Sequence, residues 1–283
     1  MKKNEIPERL TAMRQFLTEN DIDAFIIPST DAHLSEYPPK YWESRKWISG
    51  FTGSAGTAVV TKEGAGGWTD SRYFIQAADE LKDTGFDLFK MGQSDTPDMT
   101  SWIIEQVGDG GTVGIDGLVY AASDAKALKE KLEKNNFALN TSFDPFTKIR
   151  KDRPEIPKNK AFTLPVEIAG ETVKSKIDRI NAELKKVGAD GIIIVTLDAV
   201  AWTFNIRGND VDYNPVTVAY AYVSENETVL FIDPDKLSDE VAHSYKEQGI
   251  KVTDYKAVFE YVSLFPEGHR ICSTGNKLDW KLL

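Results

Sequence analysis

The chain has 283 residues, of which 41% are hydrophobic and 11% aromatic, and this favours two globular domains over a disordered segment. Its formal net charge of −10 argues against sequence-independent binding to nucleic acid, because such binding depends on lysines and arginines that neutralise phosphates. No apolar run approaches the roughly 20 residues that cross a bilayer, and the single cysteine, Cys272, cannot form an internal disulfide, so we predict a cytoplasmic protein without a membrane partner.

The first half of the chain alternates helices with strands. It begins with an amphipathic helix that has Pro7 in its first turn and an apolar face made of Ile6, Leu10, Met13, Phe16 and Leu17. The continuous apolar run at 24–28 predicts a strand that is covered on both faces. The remaining predicted elements are strands at 57–61, 67–70, 86–91, 112–116 and 137–140, and helices at 71–81, 97–107 and 123–135. This alternation predicts an α/β domain.

The second half repeats the pattern. Its first helix has an N-cap at Thr172, an end at Gly188 and an apolar stripe of Val173, Ile177, Ile180, Leu184 and Val187. The remaining predicted elements are strands at 191–196, 217–223, 228–232, 251–254 and 270–273, and helices at 236–248 and 257–264. A further helix is predicted to begin around Leu278, with Trp280, Leu282 and Leu283 as its apolar residues.

Two stretches of the sequence resemble each other. The runs at 23–32 and 190–199 lie 167 residues apart, and each leads to a tryptophan with a glycine six residues later, Trp47 and Gly53 in one and Trp202 and Gly208 in the other. A period of this length is too long for a solenoid and predicts two copies of one domain. The charged, proline-containing stretch at 148–160 predicts the linker. We therefore predict domains at 1–158 and 159–283, the second truncated at its C-terminal end.

Two motifs fail as catalytic or metal sites. Ser54 lies in a glycine-rich run, but Thr52 stands where a nucleophile elbow requires glycine, and a strand-like run follows instead of a helix. The run that starts at Asp210 resembles the opening of a calcium loop, but Pro215 and Ala221 replace its required glycine and glutamate. Neither stretch is assigned a function.

The histidines are His33, His243 and His269, and their spacing matches no zinc motif. His243 and His269 are predicted to be exposed. For His33, beside Asp31, a local hydrogen bond is favoured over catalysis. We assign no catalytic residue and no metal ligand in this chain.

One polar cluster, at 68–74, lies where a strand ends and a helix begins, which is where α/β domains present functional residues. Asp70 is a natural N-cap. Arg72 is less readily explained, because the positive end of a helix dipole disfavours a cation in the first turn. Arginine can bind a carboxylate or a peptide oxygen through two donors, so a ligand contact and a salt bridge to a neighbouring acid both stay open for Arg72.

The runs at 28–37, 49–58 and 68–74 resemble the three-domain cytosolic Xaa-Pro aminopeptidases, also called aminopeptidase P, and those at 197–208 and 211–216 resemble the second creatinase N-terminal-like domain of that family. The resemblance implies two such α/β domains, each a mixed β-sheet flanked by helices. It also implies a homodimeric metallopeptidase that removes the residue preceding proline from X-Pro peptides. Its two divalent metal ions, usually manganese, are held by a C-terminal domain that is absent from this chain.

The resemblance further implies that Arg72 contacts the substrate peptide, with Asp70 and Tyr73 as supporting residues. The chain would then be a non-catalytic region that restricts substrate access, supports oligomer contacts and is inactive alone. The alternative is a stand-alone peptide-binding or regulatory module without peptidase activity.

Overall fold

The computed structural model describes residues 3–273 and 275–283, and its internal contacts divide it into two units. Unit 1 comprises the described residues of Met1–Ala32 and Lys40–Glu155, and unit 2 comprises those of His33–Pro39 and Ile156–Leu283. The segment His33–Pro39 therefore belongs to unit 2, although the residues on both sides of it belong to unit 1. A domain boundary between 158 and 159 stays a prediction.

Unit 1 contains a six-stranded mixed sheet. Its strands are β1 Ala24–Ile27, β2 Thr57–Thr61, β3 Ala65–Thr69, β4 Asp87–Lys90, β5 Gly111–Ile115 and β6 Phe137–Asn140. Their order across the sheet is β4-β3-β2-β1-β5-β6. The pairs β1–β2 and β2–β3 are antiparallel and the other three pairs are parallel.

The helices of unit 1 are α1 Ile6–Glu19, α2 Ser44–Ser49, α3 Phe74–Glu80, α4 Met99–Val107, α5 Ala122–Glu133 and α6 Phe146–Ile149. All five residues of the predicted apolar face of α1 are buried in one core cluster with β1 and β2, which confirms that face. The helix predicted at 71–81 begins as a short 3-10 helix, Ser71–Tyr73, before α3.

Unit 2 contains a five-stranded mixed sheet and a separate two-stranded ribbon. Its strands are β7 Phe162–Thr163, β8 Gly191–Ile194, β9 Ile206–Arg207, β10 Tyr220–Ser224, β11 Thr228–Phe231, β12 Ile250–Thr253 and β13 Ile271–Cys272. The sheet order β12-β11-β10-β8-β13 repeats the order of the first five strands of unit 1, and β7 pairs with β9. Within residues 156–273 and 275–283, no strand lies beyond β13 as β6 lies beyond β5.

The helices of unit 2 are α7 Val166–Ala169, α8 Val173–Val187, α9 Leu197–Thr203, α10 Asp239–Glu247 and α11 Ala257–Ser263. The predicted caps of α8 are confirmed, because the Thr172 side chain accepts a hydrogen bond from the Ser175 amide and Gly188 is left-handed. Its predicted stripe is wrong at one end. Val187 is 65% exposed, whereas Lys176 takes a buried position that periodicity did not predict.

Two predicted helices of unit 2 differ from the structure. The helix predicted at 236–248 starts at Asp239, and Lys236 belongs to a preceding 3-10 helix, Pro234–Lys236. The helix predicted from Leu278 is replaced by two 3-10 turns, Gly275–Lys277 and Trp280–Leu282. In the described residues, no helix is both long and apolar enough to span a membrane.

Candidate functional site

The predicted polar cluster lies at the end of β3. The side chain of Asp70 accepts a hydrogen bond from the backbone N–H of Arg72 at 3.0 Å and caps the 3-10 helix Ser71–Tyr73. This confirms the predicted N-cap. An aspartate satisfies a backbone donor that has no partner inside the helix, which fixes the turn between strand and helix.

The guanidinium of Arg72 forms a two-pronged ion pair with the Asp70 carboxylate. Nε lies 2.9 Å from Oδ1 and Nη2 lies 2.8 Å from Oδ2. The hydrogen bonds from Arg72 lower the pKa of Asp70 below its ordinary value. The Arg72 side chain is 60% exposed, so the salt bridge and a contact with a ligand do not exclude one another.

Tyr73 attaches the same turn to the loop that precedes β2. Its hydroxyl lies 2.7 Å from Oγ of Ser54, and its ring packs edge-on against Phe51 at a centroid distance of 5.9 Å. The guanidinium carbon of Arg72 lies 5.2 Å from the Tyr73 ring centroid. A Cβ added at Gly53 would lie 2.7 Å from the Tyr73 ring, so this contact requires glycine there. Ser54 thus has a structural role as a partner of Tyr73.

Arg45 supports this loop from inside unit 1. It is 5% exposed, donates hydrogen bonds to the carbonyls of Phe51 and Gly53, and has its guanidinium carbon 4.7 Å from the Phe51 ring centroid. Burial lowers the pKa of Arg45 to about 10. Sequence reasoning missed this residue, because an arginine in a six-residue helix is usually a surface residue.

A carboxylate holds the outer side of the loop. Glu80 accepts hydrogen bonds from the backbone N–H of Thr52 at 2.7 Å and from its hydroxyl at 2.6 Å. These hydrogen bonds keep the pKa of Glu80 below its ordinary value, although partial burial opposes the shift. The loop is therefore tied to α3 and to the turn that carries Arg72.

Unit 2 builds the same turn without an arginine. In unit 1, Trp68 pairs with Thr57, and in unit 2, Phe231 pairs with Tyr220. Two residues after Trp68, Asp70 caps a 3-10 helix, and two residues after Phe231, Asp233 does the same. Asp235 therefore occupies the position of Arg72, and Lys236 that of Tyr73. The Nζ atom of Lys236 lies 2.6 Å from Oδ2 of Asp210, and both side chains are buried.

The three histidines lie apart from this cluster. His33 is buried in unit 2, where Nδ1 lies 2.7 Å from the Val195 carbonyl and Nε2 lies 2.9 Å from the Tyr255 hydroxyl. These partners are distant in sequence, so the prediction of a merely local bond did not anticipate them.

The other two histidines differ from each other in exposure. His243 has a 71% exposed side chain, as predicted. The prediction that His269 is exposed is wrong, because this ring stacks on Phe265 at 4.7 Å and lies 3.1 Å from the Tyr222 hydroxyl.

Across residues 3–273 and 275–283, no three histidine, cysteine, aspartate or glutamate side chains come together as metal ligands. The described residues thus offer no ligand cluster for a metal pair, and the family resemblance places that pair in a C-terminal domain outside this chain.

Comparison with known proteins identifies the fold. Two family models described as the creatinase/prolidase N-terminal domain match the chain, one over residues 9–150 and one over residues 152–283. Proteins described as probable Xaa-Pro aminopeptidase P from Botryotinia fuckeliana and Pyricularia oryzae are each 40% identical to the chain over 92% of its length. The chain spans only 40% and 42% of these two relatives.

A solved structure gives the same result. The X-prolyl aminopeptidase of Caenorhabditis elegans, described as a cytosolic enzyme with a di-nuclear active site, matches 98% of this chain and 48% of its own, with a TM-score of 0.92 and 28% identity. The predicted fold class, two similar domains that each have a mixed sheet flanked by helices, is confirmed. Because each half of the chain is matched by a model of the same family, the chain belongs to the creatinase/prolidase N-terminal domain family and contains two successive copies of that domain.

Proposed function

We propose that this chain is the non-catalytic N-terminal region of a metal-dependent Xaa-Pro aminopeptidase, which removes the N-terminal residue of a peptide when proline follows it. The observation that carries the proposal is the 40% identity to Xaa-Pro aminopeptidase P relatives over 92% of the chain. The peptidase chemistry would come from two divalent ions, manganese in our proposal, held by the part of the longer protein that lies outside this chain.

Within this region we assign substrate contact to Arg72. Its guanidinium is exposed, and the two-pronged bond to Asp70 already fixes its direction. A donor that is held in place loses less conformational freedom when it binds, so the peptide would gain more from each hydrogen bond. A peptide carbonyl or terminal carboxylate is the acceptor that this side chain suits.

Asp70 and Tyr73 then act as positioning residues. Asp70 orients the guanidinium, and Tyr73 anchors the turn to the loop through Ser54. The two folded units would restrict access so that short peptides reach the metal centre, and would contribute contacts to a homodimer. A cytoplasmic location stays part of this proposal.

The test of Arg72 uses the protein encoded by the complete reading frame, assayed with manganese and an X-Pro peptide. A charged hydrogen bond contributes about 1.5–3 kcal/mol, so Arg72→Ala should lower kcat/KM by about tenfold to about 150-fold. Arg72→Lys should recover only part of this loss, because lysine lacks the two-pronged geometry.

The control for Arg72 is Lys185→Ala. Lys185 in unit 2 is also exposed, at 62%, and its Nζ atom lies 2.6 Å from a carboxylate oxygen of Glu225. We expect the kcat/KM of this variant to stay within about twofold of that of the unaltered protein, since exposed ion pairs contribute little. If Arg72→Ala behaves like Lys185→Ala, the assignment of Arg72 is wrong.

A second test uses the 283-residue chain alone. With manganese and an X-Pro peptide we expect no turnover above the uncatalysed rate. Turnover by the pure chain would contradict the assignment of catalysis to the rest of the protein. A reading frame that ends at Leu283, with peptide binding but no hydrolysis, would instead support a stand-alone binding module.

A further inference from the structure

Asp23 and Asp190 are equivalent residues of the two units. Each comes directly before the first strand of its sheet, β1 in unit 1 and β8 in unit 2. Each carboxylate accepts a hydrogen bond at 2.8 Å from a backbone N–H, that of Thr112 in unit 1 and that of Arg270 in unit 2. The two copies of the domain therefore hold a carboxylate in the same backbone setting.

The two aspartates differ in the cation that faces them. In unit 1 the Nζ atom of Lys62 lies 2.7 Å from Oδ1 of Asp23. Lys62 is the second residue of the turn at 61–64, and the turn at 224–227 has the same length and the same 2.9 Å hydrogen bond from its first amide to its last carbonyl. Glu225 therefore occupies the position of Lys62, so the charge at this position is reversed in unit 2.

A cavity of about 460 Å³ opens beside Asp190 in unit 2. Carboxylates of Asp190, Glu225 and Glu227 line it, and Glu225 is neutralised by Lys185 at 2.6 Å. Within residues 156–273 and 275–283, neither Asp190 nor Glu227 forms an ion pair with a lysine or an arginine. Glu227 accepts a hydrogen bond from the Tyr261 hydroxyl at 2.6 Å, and burial together with this carboxylate raises the pKa of Tyr261. Two carboxylates at the cavity thus carry charge that no lysine or arginine of the described chain offsets.

Aromatic rings form another part of the lining. The ring centroid of Phe265 lies 5.2 Å from that of Tyr222 and 4.7 Å from that of His269. Asn181 also lines the cavity, and its buried Oδ1 accepts no hydrogen bond from the described residues. Aromatic faces attract cations, and a buried acceptor without a donor favours a ligand that carries N–H groups. Carboxylates, rings and a free amide oxygen together favour a cation with an apolar body.

We propose that this cavity binds a small organic cation, a primary ammonium group on an aryl or alkyl body. The ammonium would lie against Asp190, where unit 1 places the ammonium of Lys62, and Glu227 would supply a second carboxylate. An ammonium has three donors, which suits a site with several acceptors. The hydrocarbon body would pack on the rings of Tyr222 and Phe265. This site does not depend on the proposed peptidase function.

Calorimetric titration of the protein encoded by the complete reading frame tests the site. Phenethylammonium should bind saturably, and phenylacetate, which has the same ring and the opposite charge, should not. Glu227→Gln keeps an acceptor for Tyr261 but removes the charge, so it should weaken binding by about tenfold to about 150-fold, as expected for a charged hydrogen bond. Glu183→Gln is the matched control, because this exposed glutamate pairs with Lys186 outside the cavity. Its affinity should stay within about twofold of that of the unaltered protein.

A gain of charge tests the comparison with unit 1. Glu225→Lys gives unit 2 the lysine that unit 1 has at Lys62, and it should abolish the binding of phenethylammonium, because the new ammonium would pair with Asp190. Unweakened binding in this variant overturns the proposal. So does equal binding of phenylacetate, a Glu227→Gln variant that behaves like Glu183→Gln, or a protein that does not bind phenethylammonium.

Hydrolysis of an X-Pro peptide by the same samples separates this site from the proposed function. Glu227→Gln should hydrolyse the peptide as fast as the unaltered protein. A protein that binds phenethylammonium in this pattern but hydrolyses no X-Pro peptide supports the ammonium site and contradicts the proposed function. A protein that hydrolyses the peptide but does not bind phenethylammonium overturns the ammonium site and leaves the proposed function intact.

Discussion

The two units contain equivalent turns, but at two matching positions of these turns their residues differ in charge. After β3, unit 1 places Arg72 on the surface and the neutral Tyr73 beneath it, whereas after β11 unit 2 places Asp235 on the surface and the charged Lys236 inside. In both units an aspartate caps the turn. The exposed guanidinium is therefore not required by the fold, and this is why we assign Arg72 to function and Lys236 to structure.

The same comparison explains how the turn is held in each unit. Unit 1 joins the turn to the preceding loop through two neutral hydroxyls, those of Tyr73 and Ser54. Unit 2 uses the buried pair of Lys236 and Asp210, and Asp210 also accepts hydrogen bonds from the Thr217 hydroxyl at 3.0 Å and the Val218 amide at 2.7 Å. Burial lowers the pKa of Lys236, and the nearby carboxylate of Asp210 opposes that shift. Such a pair is weak evidence for net stability, but removing one partner is costly.

The largest predicted effect follows from this asymmetry. Lys236→Met should lower the free energy of unfolding of unit 2 by about 3–5 kcal/mol, because it leaves the Asp210 carboxylate buried without its cation. The measurement is hydrogen exchange of the β10 and β11 amides, which reports on unit 2 separately from unit 1. Lys160→Ala is the control, since the Nζ atom of this exposed lysine donates a hydrogen bond to the Asp235 carbonyl of the same turn and not to the Asp210 carboxylate. A loss below about 1 kcal/mol for Lys236→Met would contradict a structural role for the ion pair.

A smaller effect is expected at the equivalent position of unit 1. Tyr73→Phe removes one hydroxyl and leaves Ser54 without this partner, so the loss should be about 0.5–1.5 kcal/mol. Hydrogen exchange of the loop before β2 and of α3 measures it. Tyr213→Phe is the control, because the Tyr213 side chain is fully exposed in unit 2. If Tyr73→Phe lowers the free energy of unfolding as much as Lys236→Met does, then the buried ion pair of unit 2 is no more important for stability than the paired hydroxyls of unit 1.

The sequence predicts the elements that depend on their own residues. The buried face of α1, the caps of α8 and the Asp70 cap each follow from spacing within one element, and the structure confirms them. Periodicity could not predict the buried cations Arg45, Lys176 and Lys236, because each is stabilised by acceptors outside its own helix or turn. Lys236, for example, depends on Asp210, which lies 26 residues away. Long-range partners of this kind also hold Tyr73 to Ser54 and place His269 against Tyr222.

The smallest effect concerns the exposed ion pair of unit 1. Arg72→Ala should leave the free energy of unfolding nearly unchanged, because exposed salt bridges contribute little. It should nevertheless change the titration of Asp70. The hydrogen bonds from Arg72 hold the pKa of this carboxyl below its ordinary value of 3.8, so the substitution should move the pKa upward toward 3.8. Carboxyl carbon NMR measures this shift directly.

Asp98 is the internal control for the titration. Its pKa is lowered to about 2, against the opposing effect of burial, by hydrogen bonds from Lys131 and Ser101, and Arg72→Ala should not move it. Since the pKa of Asp70 is depressed, the stabilisation from its ion pair is present above 3.8 and is lost as the pH falls through the lower, folded-state pKa. The direction of the Arg72 guanidinium should therefore be constant across the neutral range. An Asp70 titration that is unchanged in Arg72→Ala would show that the ion pair is absent in solution, and Arg72 would then have no preset direction toward a peptide.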